Sequence, residues 1–450
     1  MNREPLNVII IGAGTGGLCL AHGLRQHGIR VAIYERDRTR TDGLQGYRVG
    51  INAHGVASLK ACLPANLFAT FLATCARTPG HFNILTEHLT ELLSIRIEDE
   101  AIHGGKSVSR MTLRQVLLTG LEDDVHFDKK YTGYEQHVDG TVTAHFEDGT
   151  CVTGDLLIGA DGARSKVRRQ LLPHAQIEST GMVSIAAKVP MNEATRALLP
   201  GKALDGITLI NAPKGFGAIL HVMEFPWGAN GPKEGIGSND TTLLARWPGI
   251  LFDNTRDYLM WGVWGALRNF PADPGSLSQP ALLALATEAT DGWHPNLRAL
   301  IRASDPGTTF GMEIRTSVPV QAWPTTSVTV LGDAVHLMTP GRGVGANTAL
   351  RDAALLAKLL GEATQAKQCI PNAVATYEAE MRRYGFDAVA ASRKQFDASA
   401  AVHRPVVGRV ALGAMRTGMR VVNNMSMLKR RMVDAENRFR GAEKQDGARS

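Results

Sequence analysis

The sequence lacks the features that would tie it to a membrane, a metal or a disulfide framework. No apolar run approaches the roughly 18–20 residues of a membrane-spanning helix, and the apolar part of MNREPLNVIIIGAG reads as a strand, not a signal peptide. The five cysteines (Cys19, Cys62, Cys75, Cys151 and Cys369) are odd in number, scattered and without a C-x-x-C pair. That points to reduced thiols in a cytoplasmic compartment. The fourteen histidines show no H-x-x-x-H or His/Cys ligand spacing, so no metal site is expected. Excess charge is scarce too. The whole chain carries +6, yet residues 402–450 hold eleven Lys/Arg against four Asp/Glu, a net +7. The body is therefore near neutral, which argues against a nucleic-acid partner. Internal repeats and low-complexity segments are absent.

At 450 residues the chain can bury a large core and has room for two or three domains. Its most informative stretch is LGDAVHLMTPGRGVGANTALRDAALLAKLL at 331–360. SVTVLG at 327–332 is β-branched and apolar and stops at a glycine, so Asp333 sits at the carboxyl end of a buried strand. In open α/β sheets ligands bind at that end. Pro340, Gly341, Gly343 and Gly345 make a turn in which backbone can approach a ligand closely. From about Ala346 the spacing of Leu350, Ala353, Ala354, Ala357 and Leu360 predicts a long helix. A glycine turn feeding a helix N-terminus offers free N–H groups to an anion or an electron-rich ring. Taken alone, the stretch is equally an ordinary strand–turn–helix whose Asp caps a turn.

Two more strand ends carry the same kind of signal. NVIIIG at 7–12 reads as a buried parallel strand, followed by G-x-G-x-x-G at Gly12, Gly14 and Gly17, a helix ending near Gly28, and a second strand, IRVAIYE, ending in Glu35. The first glycine makes the turn, the second admits a pyrophosphate, the third lets helix pack on strand, and the acid accepts a ribose hydroxyl. This context predicts dinucleotide binding without separating FAD from NAD. At 151–172, DLLIGA ends at Asp161-Gly162 and enters a helix bearing Arg164, Lys166, Arg168 and Arg169, which places cations where phosphates could lie.

Between these motifs, Gly43, Gly46 and Gly50 flank Arg48, which either reaches a cofactor phosphate or ring or is a solvated loop arginine, and Asn52 is placed to cap the next helix. SRMTLRQVLLTGL at 109–121 predicts an amphipathic helix with Arg110 in its first turn, a position that calls for a partner anion. Residues 175–325 change texture: strands recur, with one helical stretch at 278–303, as in a mixed sheet inserted into a dinucleotide fold. The glycine-rich loop 228–240 reads as a lid or a surface loop. Met223, Phe225, Trp261, Trp264 and Met312 would suit a planar substrate or simply build core. His221 and Glu313 are conceivable substrate-activating bases, but no catalytic side chain is fixed. Residues 371–400 predict one long helix. The 402–445 tail predicts helix with Leu412, Met415, Met419, Val422 and Met425 on one face. Packing on the body is expected of this basic tail, in preference to contact with a membrane surface.

Three strand-end elements in this order (G-x-G-x-x-G with Glu35, Asp161-Gly162, and Gly332-Asp333 with its glycine turn) resemble the FAD-dependent aromatic hydroxylases. These are the single-component flavoprotein monooxygenases that include para-hydroxybenzoate hydroxylase and the tetracycline-modifying oxygenases. The likeness covers residues 7 to about 400. It implies an α/β fold: a glutathione-reductase-like Rossmann FAD domain interleaved with a mixed β-sheet substrate domain, plus C-terminal helices. The implied division is FAD domain at 1–78, 107–174 and 326–400, substrate domain at 79–106 and 175–325, and a basic helical tail at 401–450.

The resemblance also implies roles. Gly12, Gly14 and Gly17 would seat the FAD pyrophosphate and Glu35 the adenosine ribose. Arg110, in R-M-T-L-R, would contact FAD; Arg48 stays a cofactor-binding candidate from its own position only. Asp161 and Gly162 match a motif linked to FAD and NADPH. Asp333 would hold the ribityl chain, and Pro340, Gly343, Gly345 and Asn347 match the turn beside the isoalloxazine. The family's usual G-Q-G-x-N reads G-V-G-A-N here, with Val344 in place of glutamine. GYRVGIN and ALRDAALL resemble a subgroup tied to secondary metabolism. The implied activity uses NADPH or NADH and O2 to hydroxylate an aromatic or polyketide-like molecule through a flavin C4a-hydroperoxide. The alternatives are an epoxidase or reductase acting on a lipid or isoprenoid, and, outside enzymes, a cofactor-sensing binding protein.

Overall fold

The structure, a computed structural model, describes residues 5–40, 48–97, 105–225, 227–228, 231–232, 257–404 and 406–431. Gly43, Gly46, most of the 228–240 loop and the tail beyond 431 lie outside the described residues.

The run NVIII forms a strand at Asn7–Ile11 because β-branched residues suit a pleat covered on both faces, and Val8 to Ile11 are all buried. It is the middle of a five-stranded parallel sheet, ordered Val328–Val330, Leu156–Gly159, Asn7–Ile11, Arg30–Tyr34, Val125–His126. The first three strands in that order carry the three motifs, and they are direct neighbours. Being parallel, they deliver Gly12, Asp161 and Asp333 to one edge of the sheet.

The helix Thr15–Gln26 leaves the glycine turn and packs on the long helix Gly345–Gln365. The crossing is tight: a Cβ on Gly23 would lie 2.7 Å from the Ala357 Cβ. The second sheet has seven strands, ordered Phe310–Ser317, Ile177–Pro190, Tyr258–Ala266, Gly217–Met223, Gly206–Asn211, His81–Thr86, Glu91–Arg96. Every pairing is antiparallel except Gly206–Asn211 with His81–Thr86.

Alternation along these strands separates two faces. Val183, Ile185, Leu220 and Trp261 pack with Leu285 and Leu300 of the helices Gln279–Ala289 and Pro295–Arg302. Ala186, Met223 and Tyr258 join the core of the parallel sheet. A two-stranded ribbon, Arg48–Ile51 with Lys106–Ser109, and a three-stranded meander over Tyr131–Gly154 complete the strands near the site.

Three expectations are refined. The helical stretch at 278–303 is two helices, broken where Pro295 starts the second one at its first turn. The helix begun near 370 spans Ile370–Arg393 and then gives way to turns. The tail helix Val407–Asn424 packs on the edge of the seven-stranded sheet, with Met419 and Val422 against Leu92, Leu93 and Ile84. Arg416 pairs with the buried Glu87 carboxylate and donates to the Asn211 carbonyl at 2.6 Å, while Asn423 accepts from the Ser94 amide at 3.0 Å. Among the described residues no helix is long and apolar enough to cross a membrane.

Arg416→Ala should release this helix. Losing a charged hydrogen-bond set worth about 2 kcal/mol raises local opening roughly thirtyfold. Limited proteolysis should then cut the tail correspondingly faster, while the melting temperature of the body stays near native.

Candidate functional site

The Gly12–Gly17 turn is built for backbone proximity. Gly12 has φ +107, and a Cβ there would lie 2.5 Å from the Ala160 carbonyl oxygen. A Cβ on Gly17 would lie 2.3 Å from the Gly12 carbonyl oxygen, so side chains are excluded where helix meets strand. Gly14 differs: a Cβ there would meet nothing within 4 Å. It also occupies the N-cap of the helix Thr15–Gln26 with no side-chain cap, so no cap side chain takes up the helix's first N–H groups. Glu35 stands behind the turn, accepting from the Ala13 amide at 2.7 Å and the Asp37 amide at 3.0 Å. A carboxylate has about four acceptor positions, so Glu35 retains capacity for a hydroxyl.

Arg114, which the sequence reading passed over, fixes this corner. Its Nη2 donates to Asp37 Oδ2 at 2.9 Å and its Nε to the Ala13 carbonyl at 3.3 Å. It lies one helical turn beyond Arg110 in R-M-T-L-R, and that spacing was the available signal.

Asp161 caps the helix Lys166–Leu171 through Oδ2, accepting from the Lys166 amide at 2.7 Å, while its buried Oδ1 has no hydrogen-bond partner. Gly162 follows with φ +72. Three of the four expected cations lie on this helix, and Arg164 precedes its N-cap; Arg168 is buried and donates to the Ala334 carbonyl at 2.9 Å, stitching the second motif to the third, while Arg164, Lys166 and Arg169 are exposed.

The third motif turns at Gly332, with φ +62, and its amide donates to Asp352 Oδ2 at 2.8 Å. The Asp333 side chain is exposed at the end of its strand, and Oδ1 would lie 3.9 Å from a Cβ on Gly345. Crowding pushes its carboxyl above the ordinary range, with His336 and Arg110 pulling the other way. Arg110, whose charge acts on Asp333, is exposed. Pro340 opens a short 3-10 turn that Gly343 closes at φ +61, and Gly345 starts the long helix. Asn347 is buried and wholly engaged with backbone. Its Nδ2 donates to the Gly50 and Gly343 carbonyls at 2.8 and 3.0 Å, and its Oδ1 accepts from the Asn52 amide at 2.8 Å. Asn347 is therefore a clamp between the glycine turn and the Arg48–Ile51 strand. Asn52 caps its helix as expected, accepting from the Gly55 amide at 3.0 Å.

Arg48 is a strand residue, not part of a loop, and its Nε donates to Ser107 Oγ at 3.2 Å. Ser107 Oγ in turn lies 3.5 Å from His221 Nε2. His221 is fully buried, and burial, with Arg48 nearby, holds its pKa well below the ordinary histidine value. A neutral, enclosed imidazole cannot touch a substrate. Glu313 is exposed, and hydrogen bonds from Ser179 and then Arg315 keep its carboxyl low, which suits a surface ion pair. Of the apolar candidates, Trp261 faces the opposite core and donates to Ser304 Oγ at 2.7 Å. Met223 and Phe225 are core, Trp264 packs on Phe396, and Met312 is exposed.

Comparison with known proteins follows this geometry. The family model described as "FAD binding domain" matches residues 5–247 and 305–392. The dual O-methyltransferase/FAD-dependent monooxygenase elcB of Phaeosphaeria nodorum is 30% identical, over 86% of this chain but only 45% of its own length. This chain thus spans less than half of that relative. The FAD-dependent monooxygenase thnD of Trichoderma harzianum is 29% identical over 88% of this chain and 94% of its own. A solved structure from Photorhabdus luminescens, assigned as an FAD-containing monooxygenase, superposes with TM-score 0.75 at 30% identity, covering 88% of this chain and 98% of the other.

Two glycine substitutions separate binding from folding. Gly14→Val enters open space and loses only a preferred N-cap residue, so stability should fall by no more than about 1 kcal/mol while the yellow cofactor is lost on desalting. Gly17→Val collides with backbone and should cost about 1–3 kcal/mol or more in a denaturant melt.

Proposed function

Because the chain belongs to the FAD binding domain family, with FAD as its cofactor, we propose that it is an NAD(P)H-dependent monooxygenase acting on an electron-rich aromatic or polyketide-like small molecule. The observation that carries this reading is the convergence of Gly12, Asp161 and Asp333 at one edge of three adjacent parallel strands. The residues present fit the cofactor. Gly14 faces open space, Asp161 Oδ1 is an orphaned buried acceptor, and the exposed Asp333 carboxylate lies opposite Gly345.

In this reading Gly12, Gly14 and Gly17 bring backbone N–H groups and the helix dipole to the pyrophosphate. Glu35 accepts a ribose hydroxyl, held in place by Ala13 and Asp37. Asp333 accepts from the ribityl chain beside Arg110. Asp161 and Gly162 line the edge between them. Pro340, Gly343 and Gly345 shape the ring end, with Asn347 fixing that turn to the Arg48 strand. When bound, FAD supplies the redox chemistry, taking electrons from NAD(P)H and activating O2 for transfer of one oxygen atom.

The protein's own contribution is positioning and exclusion of water. Met260 and Phe310 pack, half-buried, on the parallel-sheet side of the seven-stranded sheet, and Ile219 shares that face by register with Gly262 and Ala186. Between them Gly262 lies next to Ala186 and Ile219 in register, with only 3.5–3.6 Å contacts available to a Cβ, which leaves a flat patch suited to a planar ring. No acid–base side chain is assigned to the substrate.

The test begins with an absorbance spectrum of the purified protein, followed by NADPH under air with a panel of phenols, polyketide-like aromatics and an isoprenoid olefin. A reducible flavin and faster NADPH oxidation with an aromatic are the expected results. A colourless protein that takes up no FAD would sink the reading, and turnover of the olefin alone would redirect it to epoxidation. Asp333→Ala should weaken FAD binding roughly tenfold to a hundredfold, as loss of a charged hydrogen bond of about 1.5–3 kcal/mol requires.

A further inference from the structure

The helix Val407–Asn424 has two faces, and the packing described above uses only one. Leu412, Met415, Met419 and Val422 turn inward, half-buried. The acids that meet the helix, Glu87 and Glu91, lie on that same side, where Arg416 and Asn423 hold them. The opposite face is bare. Val410, Ala414, Thr417 and Val421 form one outward line at helical spacing, and all four are exposed. A Cβ on Gly413 or Gly418, beside that line, would meet nothing within 4 Å.

Apolar exposure is concentrated here. Among the described residues ten large hydrophobic side chains are exposed, and six of them fall in this short stretch: Val406, Val407, Val410, Val421, Met425 and Met427. Single exposed apolar residues are ordinary on a protein surface, whereas a cluster marks a contact. Val406 and Val410 are 77% and 71% exposed, so the body does not shelter them.

Charge chooses the occupant. From Ala398 to Arg431 the chain has seven Lys/Arg and no Asp or Glu. Arg416 is held by Glu87, and Lys429 donates to the Ser94 carbonyl at 3.1 Å. The other five, Arg404, Arg409, Arg420, Arg430 and Arg431, are exposed, and none pairs with an acid among the described residues. Arg409 and Arg420 flank the valine line on the same side. A second copy presenting this face would bring arginines together with no acid to answer them. A nucleic acid would meet the cations but find no Phe, Tyr or Trp to stack on, since none occurs between Phe396 and Arg431. An anionic lipid surface answers both features. Its headgroups meet the arginines, and the valines and methionines enter the acyl boundary beneath them.

We propose that the outer face of this helix, with the turn after it, is a peripheral docking surface for an anionic lipid bilayer. No residue of the strand-end site takes part, so the proposal stands apart from the cofactor reading. The helix is held to the edge strand Glu91–Arg96, and the docked bilayer therefore lies along that edge of the seven-stranded sheet.

The experiment sediments the full chain with vesicles of phosphatidylcholine alone and of phosphatidylcholine containing phosphatidylserine. Binding should be at least about tenfold stronger to the anionic vesicles. It should reverse as salt rises from about 0.1 to about 1 M and the screening length falls from about 10 to about 3 Å. Arg409→Gln with Arg420→Gln should weaken binding roughly tenfold to thirtyfold. Val410→Gln with Val421→Gln leaves every charge in place and should weaken it at least about threefold. All four side chains point outward, so melting temperatures should stay native.

Equal binding to both vesicle types, or none to either, would overturn the proposal. A folded valine double variant that binds as the native chain does would also overturn it, because adsorption by charge alone needs no apolar face. A concentration-dependent dimer that binds no vesicles, and that the valine substitutions abolish, would assign the face to a second copy instead. Where a double variant does not fold, the lipid and salt dependence of the native chain decides.

Discussion

The constraint on which the rest depends is the parallel pairing of Val328–Val330, Leu156–Gly159 and Asn7–Ile11. These strands are separated by more than a hundred residues of chain, yet pairing such as Ile9 with Leu157 and Leu157 with Val328 brings their carboxyl ends level. A register slip of one residue would turn every side chain to the other face. Here both faces are covered, so the apolar run tolerates either facing, and register is held at the ends. Arg168 reaching the Ala334 carbonyl, and the Leu331 amide donating to the Gly159 carbonyl at 3.0 Å, tie the second and third strand ends together. The Ala160 amide on the Ile11 carbonyl at 2.8 Å ties the first to the second.

The seven-stranded sheet answers a different demand. It presents one face to a core of helices and the other to the core of the parallel sheet, so it is antiparallel over most of its width and its strands alternate. Trp261 shows how strict that alternation is. It pairs with Ala187 and Leu220 in register, and all three enter the helix-backed core, whereas Met260, one residue earlier, packs on the other side. An aromatic at strand spacing therefore carries no information about a substrate until its parity relative to the sheet is known.

The parts legible in the sequence were those written locally. G-x-G-x-x-G, the two strand-end acids and the Asn52 cap are each decided by fewer than ten consecutive residues, and the fold class follows from their order. The parts that were not legible join residues far apart. Arg114 reaches Asp37 from 77 positions away, Asn347 clamps Gly50 from 297 away, and His221 meets Ser107 across 114. His336 and Asp352 are only 16 apart. A glycine turn lies between them, so no single helical or strand period links the two. The resemblance supplied the identity of the turn but not its supports.

The substitution of Val344 for the usual glutamine illustrates the same division. The turn does not depend on that side chain for its shape: Gly343 supplies the left-handed residue, Asn347 ties two backbone carbonyls and one amide together, and the Thr348 hydroxyl returns to the Val344 carbonyl at 3.0 Å. Four backbone contacts from two side chains fix the loop whatever stands at position 344. A residue freed from holding the backbone is one whose chemistry can vary between relatives without loss of the fold. Variation should then concentrate on the side chains facing the ring and the substrate, while Asn347, Asp352 and the strand ends that position them remain under structural constraint.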